Sequence, residues 1–305
     1  MRSRATIIVL TMGLLAACAF REPAAPTLTQ KEIAEIVASP DRSAADRQND
    51  QRRKPEEMLS FIGIEPGIVA LDISAAGGYT TELLARAIGP NGAVYGQSAP
   101  PRENARRPAQ PEGNASGMMR PATPVAATQS ASAAAASAAP VAAPPVRRSS
   151  PESLKARAHA MRDAGVPAAA IVPVVQPFDN PIPPDLVPAN PEDARLDLVT
   201  LMFNYHDFGH MGVDRDKMNH AIFDALKSGG HYVIADHAGR PGTGISESGT
   251  LHRIEEAFLV HEVEAAGFEL VATGDFLHNP NDPRDRNTPE PPQPKDEFVV
   301  KFVKP

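Results

Sequence analysis

The sequence predicts an α/β fold, a doubly wound and mostly parallel sheet of about seven strands with helices on both faces. Three observations carry that reading. Apolar runs of strand length alternate with helix-periodic stretches, and glycine and proline punctuate the junctions. The last two strand signals have no helix between them, so one strand near the C-terminus is expected to run antiparallel.

The elements follow in order. Ile68-Val69-Ala70-Leu71-Asp72-Ile73 is an apolar run of strand length with one carboxylate near its end. A helix pattern follows, with Leu83, Leu84, Ala87 and Ile88 on one face and Gly89-Pro90 as its stop. Ala93-Val94-Tyr95-Gly96 reads as a second strand. Ser150-Pro151-Glu152 opens a helix with a cap, a first-turn proline and an early acid; it runs to Asp163 and Gly165 ends it. Ile171 to Val175 is the third strand, made irregular by Pro173. Leu196 to Phe203 is the fourth, Lys217 to Leu226 a helix, and His231 to Ala235 the fifth strand. Thr250 to Ala266 reads as a longer helix, and Phe268 to Ala272 and Phe298 to Val303 close the set. Right-handed crossovers place the strand-to-helix loops on one edge, where ligands of open α/β sheets bind.

Composition sets the class. The 305 residues carry a net charge of −7, and nothing basic suggests a nucleic-acid groove. With 11 Phe, 4 Tyr and no Trp, an aromatic-rich pocket is not expected. Prolines, 32 in all, crowd two places. Residues 99–150 are mostly Ala, Pro and Ser, with too little apolar surface to offset ordering entropy, and are expected to be a disordered insertion. Asn279 to Asp296 reads as a long polar loop.

The first residues read as an address. Arg2 and Arg4 precede an apolar run, Ile7 to Leu15, which ends in Leu15-Ala16-Ala17-Cys18. That run is too short to span a bilayer and has the form of a secretory signal. Cys18 is the single cysteine and stands at the lipid-modified position of a bacterial lipobox. The expectation is a lipoprotein signal over residues 1–18, a tether over 19–30 and one domain over 31–305. Its membrane contact would be a lipid anchor, in the periplasm, and Ala19 after the cysteine favours the outer membrane.

The loop after the first strand, Asp72-Ile73-Ser74-Ala75-Ala76-Gly77-Gly78-Tyr79, concentrates small residues where a backbone can approach a ligand. It does not fit the G-x-G-x-x-G dinucleotide pattern, and an acid ahead of small residues suits a ligand bearing an amine. A tight turn with no ligand explains the same residues.

With this loop the chain resembles the class I S-adenosylmethionine-dependent methyltransferases, of Rossmann-like fold. It is closer still to a family of predicted bacterial methyltransferases that often carry export signals. The resemblance covers about residues 30–98 and 151–305. Its marks are Val69 to Asp72, Val94 to Gln97, Pro177-Phe178-Asp179, Asn204-Tyr205-His206-Asp207, Leu226 to Gly230, Asp236-His237, Leu251-His252-Arg253 and Phe276 to Pro280. It implies S-adenosylmethionine as cofactor. Asp72 would face the methionine amine, and the loop Ser74, Ala76, Gly77 and Gly78 would lie beneath the methionine part. Gln97 would hold the ribose in place of the usual acid, Asp179 the adenine amine, and Asn204 would border the methyl group. Ser74 and Ala76 stand where the family's first two loop glycines are usual.

Methyl transfer from a sulfonium needs alignment and, for some acceptors, proton removal. His206, Asp207 and His237 are the candidate proton handlers, since a histidine of near-neutral pKa is a natural base. The same side chains would serve equally to cap and connect loops. His206, Asp207, His210, His237 and His252 are also ligand types, although Gly209 argues against a helix that would pair His206 with His210, and no HExxH or paired CxxC occurs. No metal ligand is assigned. Three functions stand at this point: a methyltransferase acting on a small-molecule or lipid acceptor, a non-catalytic binding protein on the same fold, and a metal-dependent hydrolase.

Overall fold

The computed structural model describes residues 26–101, 148–289 and 291–305. The leader with Cys18, most of the tether and residues 102–147 of the insertion lie outside them.

Seven strands form one sheet: β1 (Val69–Ile73), β2 (Ala93–Ser98), β3 (Ala170–Val175), β4 (Leu196–Met202), β5 (Leu226–His237), β6 (Glu269–Gly274) and β7 (Glu297–Val303). Their order is β3-β2-β1-β4-β5-β7-β6. From β3 to β5 every neighbouring pair is parallel, whereas β7 pairs antiparallel with both β5 and β6. The chain thus has the expected α/β fold with its one reversed strand. Between β6 and β7 there is no helix, so the chain returns through the polar loop and can only come back antiparallel.

Period-two alternation sends each strand's side chains to two cores. Ala70, Val94, Leu198, Val233 and Val299 pack against the helices α1 (Gln30–Ala38), α3 (Pro55–Ile62) and α4 (Tyr79–Ile88). Leu71, Val199, Tyr232, Ile234 and Phe302 pack on the opposite face against α7 (Arg215–Ala225) and α8 (Glu256–Ala265). Burying each large side chain is worth about 1.5–3 kcal/mol, so two filled faces hold the sheet between its helices.

The helices before β1 are not among the sequence expectations, although their ends are marked. Thr29 and Glu32 form a reciprocal capping box on α1. Ser43 caps α2 (Ala44–Arg53), and Pro55 stands in the first turn of α3. In α2 the sequence AADRQNDQRR has no apolar stripe; its buried residues are Asp46 and Arg53, and ion pairs seat it. Arg157 of α5 (Ser150–Asp163) grips Asp46 with two hydrogen bonds, and Arg42 grips Asp50 likewise. A periodicity search finds nothing in such a helix because charge, not oil, holds it.

Three further boundaries differ from expectation. Residues Thr250 to Glu255 are not helical, since His252 has φ +51° and Ile254 bridges to Ala238, so α8 begins only at Glu256. A short helix α6 (Asp207–Met211) does form across Gly209. That glycine lies so close to Ile245 and Ser248 that a Cβ would sit 2.7–2.8 Å from their side chains. Close packing, not flexibility, explains it. The α5 cap is Ser149 rather than Ser150, so the helix begins at Ser150 itself.

Candidate active site at the carboxyl edge of the sheet

Strand order reverses between β1 and β4, which opens a crevice at their carboxyl ends. The loop after β1 borders it. Ser74 and Ala76 take left-handed φ values of +58° and +47°, and Gly78 takes +82°. The first two residues thus adopt a glycine conformation without glycine, at about 1–2 kcal/mol each. Gly78 has no such latitude: a Cβ there would meet Leu154 at 2.6 Å and Arg157 at 2.9 Å. Arg157 also donates to the Gly77 carbonyl, so α5 clamps the loop from above. Ala76 is exposed, and its methyl disturbs no packing.

Asp72 is buried in register with Thr200, and its two oxygens accept from Thr81 Oγ1 at 2.6 Å and Thr200 Oγ1 at 2.9 Å. Burial raises its pKa to about 6, against the opposing pull of the two hydroxyls and Arg53. Gln97 is 0% exposed. Its Oε1 accepts from the Ser74 N–H at 2.9 Å and its Nε2 donates to the Gln176 carbonyl at 2.6 Å. Gln97 thus stitches β1 to β3 across β2.

From Ser74 the bonding continues across the crevice. Ser74 Oγ donates to Asn204 Oδ1 at 2.6 Å, and Asn204 Nδ2 donates to Asp207 Oδ2 at 2.9 Å. Asp207 Oδ1 lies 3.1 Å from His206 Nε2 and 2.9 Å from His252 Nδ1. His206 Nδ1 lies 2.5 Å from Asp236 Oδ1, and Asp236 Oδ2 accepts the His206 backbone N–H. One polar chain therefore runs along the carboxyl ends of five parallel strands, from the residue after β3 to the penultimate residue of β5.

The charges in it are paired. Burial alone would lower the His206 pKa, but the carboxylates of Asp236 and Asp207 outweigh it and raise it to about 9. Asp207 is brought down to about 2, since His206 and His252 outweigh the effect of its burial. His237 is buried between the rings of His206, at 5.2 Å, and Phe203, at 5.7 Å. Burial holds its pKa well below the usual imidazole value, with Lys295 and His206 adding to the effect. Neither histidine has the near-neutral pKa expected of a base. His206 is thus held toward its protonated form between two carboxylates, whereas burial favours the neutral form of His237, whose Nδ1 lies 3.0 Å from Glu297 Oε1.

The structure thus brings Ser74, Gln97, Asn204, His206 and Asp207 into one network and sets Asp72 beside it. Asp179 does not join: it pairs with Lys217 of α7 at 3.0 Å. Asp236 and His252 complete the group, though sequence reasoning did not place them among the catalytic candidates. Asp236 was legible as a carboxylate ending an apolar strand. His252 was read only as a possible ligand type, and its place beside Asp207 was not legible, because that place depends on Arg253, which is wholly buried and bonds Asp282 and the carbonyls of Ala238 and Arg286.

No protein-family model and no curated protein matches the chain. Among solved structures it is similar to a SAM-dependent methyltransferase from Aquifex aeolicus, at 14% identity and TM-score 0.47, over 91% of this chain and 100% of that one. It is similar to Aeropyrum pernix fibrillarin with natively bound S-adenosyl-L-methionine, at 14% and 0.39, over 78% and 67%. It is also similar to the [4+2]-cyclase SpnF, at 12% and 0.46, over 93% and 99%. Identities of 12–14% and TM-scores below 0.5 decide nothing about what this chain binds or transforms.

Proposed function

We propose that the protein is an S-adenosylmethionine-dependent methyltransferase acting on a small-molecule or lipid acceptor. The observation that carries this reading is the continuous polar chain from the left-handed loop Ser74–Gly78 to the ionised Asp207. It couples the place where a cofactor amine and carboxylate would lie to the place where an acceptor would sit. The loop fits the methionine end of the cofactor, because it is left-handed at three positions and Ala76, exposed, presents only a methyl. Asp72 would meet the cofactor amine, and Gln97 would exchange the Ser74 N–H for a ribose hydroxyl. When bound, the cofactor supplies an electrophilic methyl group. The chain's own part is to align the acceptor, and the negative charge of Asp207 at the crevice would favour the positive charge that develops on an attacking acceptor.

Full-chain protein titrated calorimetrically with S-adenosylmethionine and S-adenosylhomocysteine is expected to bind both. Ala76→Trp, placed on an exposed position of the loop, is expected to abolish binding without unfolding. A folded wild-type chain that binds neither would end this reading.

A non-catalytic binder is the second reading, and one observation favours it: Ser74 and Gln97 already satisfy one another, so the loop is closed on itself. Binding without turnover of a labelled methyl donor would select it. We place the protein in the periplasm as a lipoprotein anchored through Cys18. Labelled fatty acid incorporated by the wild type and not by Cys18→Ala is the result expected.

A further inference from the structure

His206, Asp207 and His252 each offer one ligand atom, and these three atoms lie within 4.8 Å of one another; Asp207 Oδ1 is 3.1 Å from His206 Nε2 and 2.9 Å from His252 Nδ1. Two imidazole nitrogens and one carboxylate oxygen, converging with a side left free, form the ligand set of many catalytic divalent metal sites. We propose that these three atoms bind a first-row divalent cation of the zinc class.

The proposal has support beyond the cluster itself. His206 is 0% exposed, yet its Nε2 makes no aligned hydrogen bond. It lies 3.1 Å from Asp207 Oδ1 as an ion pair without forming an aligned hydrogen bond to it. A buried nitrogen without an aligned partner, aimed at an acid and a second imidazole, is a costly thing to keep for packing alone. Metal ligation gives it a partner.

The outer groups are those such a site needs. Asp236 Oδ1 sits 2.5 Å from His206 Nδ1 and keeps a proton there, so the proton that a cation displaces to solvent on binding is the one on Nε2, whose lone pair then faces the cluster. Asn204 Nδ2 holds Asp207 Oδ2 and leaves Oδ1 for the cation. Asp207 and Asp236 bring two negative charges into a buried place, and a dication with neutral imidazoles balances them. His252 is held at φ +51°, a position that costs a non-glycine residue about 1–2 kcal/mol and that points to a surrounding structure which fixes it. The way in is open: the side chains of His252 and His210 are 24% and 40% exposed, and His210 Nδ1 stands 3.8 Å from Asp207 Oδ1 at the rim.

The cluster is the one in which the acceptor is placed above, but the cation site does not require methyl transfer. The test is a competition titration of chelator-stripped full-length protein with Zn²⁺ against a chromogenic chelator, with the visible spectrum of the Co²⁺ form as second readout. One equivalent is expected to bind more tightly than about 1 µM, with Co²⁺ giving an intense spectrum of low coordination number. His252→Ala, a partly exposed position, is expected to weaken binding at least about tenfold. His220→Ala, on the exposed face of α7, should change nothing. Weaker binding by the wild type, or binding that His252→Ala leaves unchanged in a variant folded by circular dichroism, overturns the proposal. S-adenosylmethionine affinity is measured on the same samples, so the metal and cofactor readings can fail separately.

Discussion

The two halves of the carboxyl edge are built on opposite principles. At the β1–β2 half, Asp72 is buried against two threonine hydroxyls and Gln97 against two backbone groups, so every donor finds an acceptor and little formal charge is present. At the β4–β5 half, two aspartates and two further histidines crowd around the buried His206 ring, and the nitrogens His206 Nε2, His237 Nδ1 and His237 Nε2 have no aligned partner. The first half is a satisfied backbone platform. The second holds unspent bonding capacity, which is the usual condition of a site that handles protons, ions or substrates.

Breaking the charged half should cost most. Asp236→Ala removes the partner of a buried imidazolium and should lower stability by about 3–5 kcal/mol, read as a fall in denaturation midpoint in the presence of a chelator. A loss under about 1 kcal/mol would show that His206 is not charged there.

The satisfied half should respond in the reverse sense at Asp72. Its folded pKa of about 6 lies above the ordinary 3.8, so between those values the native state binds more protons than the unfolded chain. Stability therefore falls as pH rises through that window, and the full penalty, up to about 3 kcal/mol, is present above pH 6. Asp72→Asn should raise stability at pH 7 and flatten the pH dependence between 4 and 6. It should also weaken S-adenosylmethionine binding if Asp72 meets the amine. An unchanged pH profile in the variant would show that Asp72 is not the group titrating.

The smallest effect sharpens the comparison. Gln97→Ala leaves the Ser74 N–H and the Gln176 carbonyl unpaired and should cost about 1–3 kcal/mol. Because Ser74 also holds Asn204, amide exchange at residues 74 and 204 should quicken together. Faster exchange at 74 alone would mean the two halves of the edge are not coupled.

Much of this was legible in the chain. Each of the seven strands appears in the sequence as an apolar run, and the absence of a helix between the last two predicted the reversal of β7. The loop from Ser74 to Gly78 announced a close approach by its small side chains. What escaped was held by charge. No apolar stripe marks α2, because Arg42, Asp46, Asp50 and Arg157 seat it, and their partners are up to 111 residues away. The reading of Gly209 as a helix breaker failed for a related reason: a neighbour distant in sequence, Ser248, fixes the backbone there by accepting from the His210 N–H.

By itself, then, the sequence determined the layers, the strand count, the reversed strand and the edge on which a ligand would lie, because period and punctuation are local properties. Only the tertiary structure decided which polar side chains meet. His206 lies 46 positions from His252 and 30 from Asp236, and a side chain's partner at that range depends on crossovers and loop paths that no local pattern encodes. Burial then decided the rest: it holds Asp72 near 6 against the pull of two hydroxyls, whereas at Asp207 two flanking imidazoles outweigh it and bring that carboxyl near 2.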